Sequence, residues 1–148
     1  LRRLLEHAFG RVSGASVPGA EHGVIRLETS FGGGKTHNLI AVYHLASGAR
    51  PANLAEFVRP ELLPGDCQVA AVVADSLDPA SGVTTDGITS FTLWGAMAAQ
   101  LGPTAFEAVR RADEQRSAPG KESLERMCGG RPTVLIVDEI AAHLRQLK

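Results

Sequence analysis

The chain has 148 residues, 44% hydrophobic and 21% charged, a balance that points to one soluble globular domain and excludes general disorder. Fifteen basic against sixteen acidic residues leave a formal net charge of −1, so no global field draws it to nucleic acid or a membrane surface. Aromatic residues make up only 5%, too few for a base-stacking surface, and the longest apolar run, residues 69–74, is far short of a membrane span.

Leu1, Leu4, Leu5, Ala8 and Phe9 recur at helical spacing, with Arg2, Arg3 and Glu6 on the other face. That predicts an amphipathic helix over residues 1–12. Residues 13–23 are rich in Gly, Ser, Ala and Pro and read as a loop. Val24-Ile25-Arg26-Leu27 is short, β-branched and bounded by turn residues, a strand candidate that opens a core over 24–148. A helix follows over 35–47, with Leu39, Ile40, Tyr43 and Ala46 on one stripe and Gly48 placed to end it. Pro51, Pro60 and Pro64 permit only short helical turns over 50–66.

Residues 68–74 form a valine-rich run ending at Asp75, predicting a strand buried on both faces. Residues 77–90 are polar and read as a long loop. A helix is predicted over 91–101, capped by Ser90 or Thr89. Thr104-Ala105-Phe106-Glu107 fits a capping box for a helix reaching Ser117. A short helix over 122–128 is closed by Gly129-Gly130, a strand covers 133–137, and a last helix begins at Ile140. This alternation calls for a mostly parallel α/β sheet with helices on both faces.

The chemistry lies at two junctions. Gly32-Gly33-Gly34-Lys35-Thr36 stands between the first predicted strand and its helix. Consecutive glycines let backbone N–H groups approach phosphate without Cβ atoms in the way, and the helix adds its N-terminal partial charge. Lys35 is then placed for β- and γ-phosphates and the Thr36 hydroxyl for Mg²⁺. The P-loop pattern G-x-x-x-x-G-K-[ST] is matched at its end, but its first glycine falls on Thr29. At the second junction Val134-Leu135-Ile136-Val137 runs into Asp138-Glu139. Asp138 at a strand tip can hold Mg²⁺ through water opposite Thr36, and Glu139 can polarise the attacking water. Alone, the acids also fit an ordinary helix start. Together the motifs predict nucleotide binding, with ATP and Mg²⁺ as cofactors.

The pair resembles the Walker A and Walker B motifs of AAA-type, additional-strand P-loop ATPases. The strings from Glu28 through Gly32-Gly33-Gly34-Lys35-Thr36-His37-Asn38 to Leu45, Thr92-Leu93-Trp94-Gly95, and residues 112–120 carry a narrower likeness. They resemble large bacterial and archaeal ATP-binding proteins of unknown function. Those are often encoded beside DNA methyltransferases or in anti-phage defence loci and are related to the ATPases of BREX-type systems. The resemblance implies a three-layer P-loop sheet. It implies phosphate binding by Gly32, Gly33, Gly34, Lys35 and Thr36, a magnesium role for Thr36 and Asp138, and Glu139 as catalytic base. It assigns His37 no role of its own beside the cofactor-binding residues; packing, or support from behind the phosphate contacts, is the favoured reading, and contact with phosphate the other. In such ATPases a further strand with a sensor residue follows Walker B. Only residues 140–148 follow here. The sheet is therefore expected to be incomplete and the chain a fragment of a larger polypeptide.

The remaining candidates read as structural. Asp75 is a solvated strand end. Trp94 shares a stripe with Leu93 and Met97 and reads as core rather than an adenine platform. Arg110, Arg111 and Arg116 mix with Asp113 and Glu114 on what reads as a solvated face rather than an arginine finger. His7, His22, His44 and His143 lack metal-ligand spacing. Cys67 and Cys128 are too sparse for a disulfide framework and read as reduced, mostly buried thiols. No secretory segment opens the sequence, so the cytoplasm is the default expectation. Because the chain starts at Leu1, its natural start is expected upstream.

The leading expectation is an ATP-hydrolysing domain coupled to further domains of its polypeptide, with DNA or DNA-modifying proteins as partners and an oligomer in the full-length protein. A regulatory module that binds nucleotide with negligible hydrolysis is the alternative, and Glu139 argues against it. A small-molecule kinase is a third, disfavoured by the acid pair and the lack of an acceptor lid.

Overall fold

Leu5 and Phe9 lie on one face of the first helix, and both are essentially removed from solvent, at 1% and 0% exposure. The helix, α1 (Arg2–Ser13), packs this face on a 3₁₀ turn at Pro60–Leu62, whose Leu62 is equally buried. The computed structural model describes residues 1–18, 20–28 and 33–146, except the side chains of residues 142 and 146. These fall into two units, Leu1–Val69 with Pro132–Val134, and Ala70–Arg131 with Leu135–Lys148.

In the first unit, α2 (Lys35–Ala46) begins where the glycine run ends and buries Val42, Leu45 and Ala46. Its last carbonyls are satisfied: Ala49 N–H donates to His44 O at 2.9 Å and Gly48 N–H to Leu45 O at 3.2 Å. Arg50 donates to Leu45 O and to Pro64 O, each at 2.8 Å, tying the helix end to the proline-rich segment. That segment forms the 3₁₀ turns Leu54–Glu56 and Pro60–Leu62, as the prolines require. The expected strand over 24–27 is absent. Val24 is 85% exposed, and Arg26 pairs with Glu28 at 2.8 Å. Without a hydrogen-bonded neighbour, β-branched composition alone does not make a strand.

The main sheet pairs β1 (Gln68–Val73) in parallel with β4 (Thr133–Asp138). Gln68 N–H donates to Pro132 O, and Gln68 Nε2 to the Thr133 hydroxyl, both at 2.9 Å. The expected burial of β1 on both faces is corrected. Ala70 and Val72 are buried, whereas Val73 is 50% exposed. The outer edge of β1 is closed by a side chain. Gln100 accepts from Ala71 N–H at 3.0 Å and donates to Ala71 O at 2.8 Å, standing in for a neighbouring strand. Asp75 lies exposed in a 3₁₀ turn just after β1.

The stretch read as a long loop instead contains a hairpin, β2 (Val83–Thr85) paired antiparallel with β3 (Ile88–Ser90). Asp86-Gly87 is its turn, with φ of 48° and 80°, the dipeptide that a two-residue hairpin favours. Just before it, the Ser81 hydroxyl and Ala80 N–H donate to Asp78 and hold its carboxyl below the usual range.

Helix α3 (Leu93–Leu101) is apolar nearly all round and accordingly sits in the middle of the second unit. Ala96 and Met97 cluster with Ala70, Val72 and Leu77, and Leu93 and Trp94 pack on that group. Ala98 and Ala99 meet Phe106, Val109 and Met127 of α4 (Pro103–Glu114) and α5 (Lys121–Cys128). Each large side chain buried this way contributes about 1.5–3 kcal/mol.

Two expected helix starts are corrected. The cap of α3 is Thr92, not Ser90 or Thr89. The capping box at Thr104 is not formed, because Gly102 is the N-cap and Pro103 the first helical residue. Helix α4 also ends at Glu114 rather than Ser117. Helix α6 (Ile140–Gln146) follows β4 and packs on the Ala74–Ser76 turn. The cysteines are partly rather than mostly buried. The architecture is thus α/β with a two-stranded parallel sheet among the described residues. No described helix is long and apolar enough to cross a membrane.

Candidate functional site

In the first unit, Gly34 caps α2 in the left-handed region, with φ 71° and ψ 21°. An L-residue is strained there, and the space a Cβ would occupy has no atom within 4 Å. The cap contributes no side-chain acceptor, and the first helical turn holds no acid. The first intrahelical bond runs from Asn38 N–H to Gly34 O at 3.0 Å. The N–H groups of Lys35, Thr36 and His37 lie ahead of it, at the positive end of a twelve-residue helix. Gly33 is exposed, Lys35 half-buried, and Thr36 and His37 exposed. Gly32 lies outside the described residues. A left-handed glycine cap followed by a lysine, with no acid in the first helical turn, fits an anionic ligand such as a phosphate chain.

His37 lies exposed at the third position of α2. Its side chain makes no hydrogen bond or ring contact with another described residue. His44 of the same helix, by contrast, meets Tyr43 edge-on at 5.6 Å.

In the second unit, β4 delivers Asp138 and Glu139 to the start of α6. Asp138 is half-buried, and its Oδ1 accepts the Glu139 N–H at 3.0 Å. Glu139 is exposed and left-handed, with φ 54°. The other non-glycine residues with positive φ have visible reasons. Asp86 forms the hairpin turn, and Arg116 lies 4.7 Å over the Phe91 ring while donating to Pro79 O at 3.2 Å. No such contact holds the Glu139 side chain among the described residues. His143, one helical turn on, is buried, and its Nδ1 has no hydrogen-bond partner among the described residues.

A family model, the DUF499 N-terminal domain, matches residues 45–148. The chain belongs to this family. No curated protein and no solved structure matches it. The matched part of the DUF499 domain starts near the end of α2, so Gly33, Gly34, Lys35 and Thr36 precede it while Asp138 and Glu139 lie within it.

The structure also places a residue in the DUF499 core that the sequence reading assigned to a solvated face. Asp113 is 1% exposed and accepts three donors: Phe91 N–H at 3.1 Å, Thr92 N–H at 2.8 Å and the Thr92 hydroxyl at 2.6 Å. The same hydroxyl accepts Gly95 N–H at 3.1 Å. The strings Thr92-Leu93-Trp94-Gly95 and 112–120 therefore meet in one buried helix cap. Its signal in the sequence was an acid one residue past the apolar stripe of α4. Arg110 is an exposed partner of Glu107 at 2.7 Å and stacks over Phe106 at 5.7 Å. Open grooves of 750 and 420 Å³ run along α4 and α5, walled by exposed side chains such as Glu107, Glu122 and Arg126. Their exposed ion pairs are worth little, and none of the predicted site residues lines them.

Proposed function

We propose that this chain, its glycine-rich segment and the DUF499 domain after it, is the nucleotide-binding part of a larger Mg²⁺-dependent ATPase. The observation that carries the reading is Gly34: a left-handed glycine cap set directly before Lys35-Thr36 at the head of a twelve-residue helix. That is the backbone a phosphate cradle requires. The family is a domain found in large ATPase-associated proteins, which agrees with it.

In this reading the N–H groups at the start of α2 and the Lys35 ammonium hold the β- and γ-phosphates. The Thr36 hydroxyl and the Asp138 carboxylate would hold the magnesium ion, Asp138 through water. The ion, when bound, supplies charge neutralisation on the phosphate oxygens. Glu139 orients the attacking water and takes its proton. Its left-handed backbone supports the assignment. Strained, left-handed non-glycine residues cluster at functional sites.

The finer relationship is part of the proposal. The full-length protein would complete a mostly parallel, three-layer P-loop sheet of the additional-strand type, akin to the ATPases of BREX-type phage defence. Further domains of the polypeptide, DNA or DNA-modifying partner proteins, oligomerisation and a cytoplasmic setting belong to the same reading.

Calorimetric titration of the full-length protein with Mg·ATP tests it. Lys35→Ala removes a charge-assisted contact worth about 1.5–3 kcal/mol and is expected to weaken binding roughly 10- to 100-fold. Equal affinity in the two proteins would refute the assignment of Lys35.

A further inference from the structure

We propose that Gln100 guards the outer edge of β1, occupying the backbone site through which β1 would otherwise pair antiparallel with β1 of a second copy of this chain. Nucleotide plays no part in it.

The main sheet has two strands among the described residues, so β1 has β4 on one side only. Gln68 N–H donates to Pro132 O, which turns the even-numbered backbone groups of β1 toward β4. The odd-numbered ones, Ala71 among them, face away. Gln100 of α3 meets both groups of Ala71: its Nε2 donates to Ala71 O at 2.8 Å, and its Oε1 accepts Ala71 N–H at 3.0 Å. Two bonds exchanged with one residue are the pattern of a hydrogen-bonded pair in an antiparallel ladder. The Gln100 amide thus takes the place of an antiparallel neighbour.

Water satisfies an exposed edge nearly as well, so these bonds add little net stability, while the exposed Gln100 gives up rotamer freedom to make them. What they achieve is exclusion. Gln68-Val69-Ala70-Ala71-Val72-Val73 has no charge and no proline, the residues that ordinarily blunt an edge. A valine-rich, uncharged strand of this kind pairs readily with itself. Antiparallel pairing centred on Ala71 is self-complementary, as a two-fold dimer requires. It sets Val69 opposite Val73, which is 50% exposed, and Asp75 opposite Cys67, so no like charges meet.

The experiment is light scattering over a concentration series, with hydrogen exchange of the Ala71 amide, on the full-length protein. Wild type, Gln100→Ala and the double variant Gln100→Ala/Ala71→Pro are compared. Proline at 71 removes the outward N–H and leaves the β1–β4 ladder its donors. Gln100→Ala is expected to reach about twice the wild-type mass as concentration rises. Its Ala71 amide is expected to exchange about tenfold faster than in wild type when dilute, and to regain protection when concentrated. The double variant is expected to return to the wild-type mass. A Gln100→Ala protein of wild-type mass throughout overturns the proposal. Association that survives Ala71→Pro overturns it as well, because another surface would then be responsible. An unfolded Gln100→Ala protein also overturns it, since the amide would then be a support of the fold.

Discussion

Gly95→Ala is expected to destabilise the fold by about 3 kcal/mol, from the clash and the acceptor it displaces. A Cβ on Gly95 would stand 2.1 Å from Asp113 Oδ1 and 2.9 Å from Ser90 Cβ, and Ser90 is itself fully buried. The carboxyl would have to leave. Phe91 N–H and Thr92 N–H would then lose their acceptor at the start of the central helix. Asp113→Ala removes the same acceptor without the clash, and each orphaned donor costs about 1–3 kcal/mol. Thr92→Ala, which removes only the cap hydroxyl, should cost about 1 kcal/mol. Urea unfolding followed by Trp94 fluorescence ranks them, since Trp94 packs on the cluster next to the cap. A Gly95→Ala midpoint equal to the wild-type value would contradict this account of the cap.

At Glu139, stability and turnover are expected to move in opposite directions. With φ at 54°, the glutamate carries a left-handed penalty of about 1–2 kcal/mol that glycine escapes. Glu139→Gly should therefore stabilise the fold, by about 1 kcal/mol once the greater freedom of the unfolded glycine is counted. Glu139→Gln keeps the shape, removes the base, and should lower ATP turnover by about 10²- to 10⁴-fold with Mg·ATP binding retained. Phosphate release and thermal unfolding of the three proteins check both halves. A Glu139→Gln protein with wild-type turnover would leave the side chain without its proposed role. A Glu139→Gly protein less stable than wild type would mean that the glutamate supports the fold after all.

The elements legible in the sequence are those whose cause is local. The apolar stripe of α1, the glycine at the head of α2 and the valine-rich run of β1 each carry their own signal. What escaped depends on partners distant in the chain. Residues 24–27 have strand composition but no strand to pair with. The start of α3 moves to Thr92 because Asp113, on the next helix, accepts the N–H groups of Phe91 and Thr92. The Thr104 capping box is overridden by Pro103, whose fixed φ already suits a first helical position. The hairpin signal, Asp86-Gly87, was present, but its three-residue strands are too short to show alternation. For the candidate site, the identities of Lys35, Thr36, Asp138 and Glu139 were readable from the two motifs. The left-handed backbone of Glu139 and the exposure of His37 were not, because neither is set by a neighbouring residue type.

In the proposed reading, Thr36 and Asp138 would both hold one magnesium ion. A double-mutant cycle on Mg·ATP affinity in the full-length protein tests it directly, with Thr36→Ala, Asp138→Asn and the combined variant. Two ligands of one ion are coupled, so the combined loss should fall short of the summed single losses by about 1 kcal/mol or more. Strict additivity of the two losses would contradict the claim.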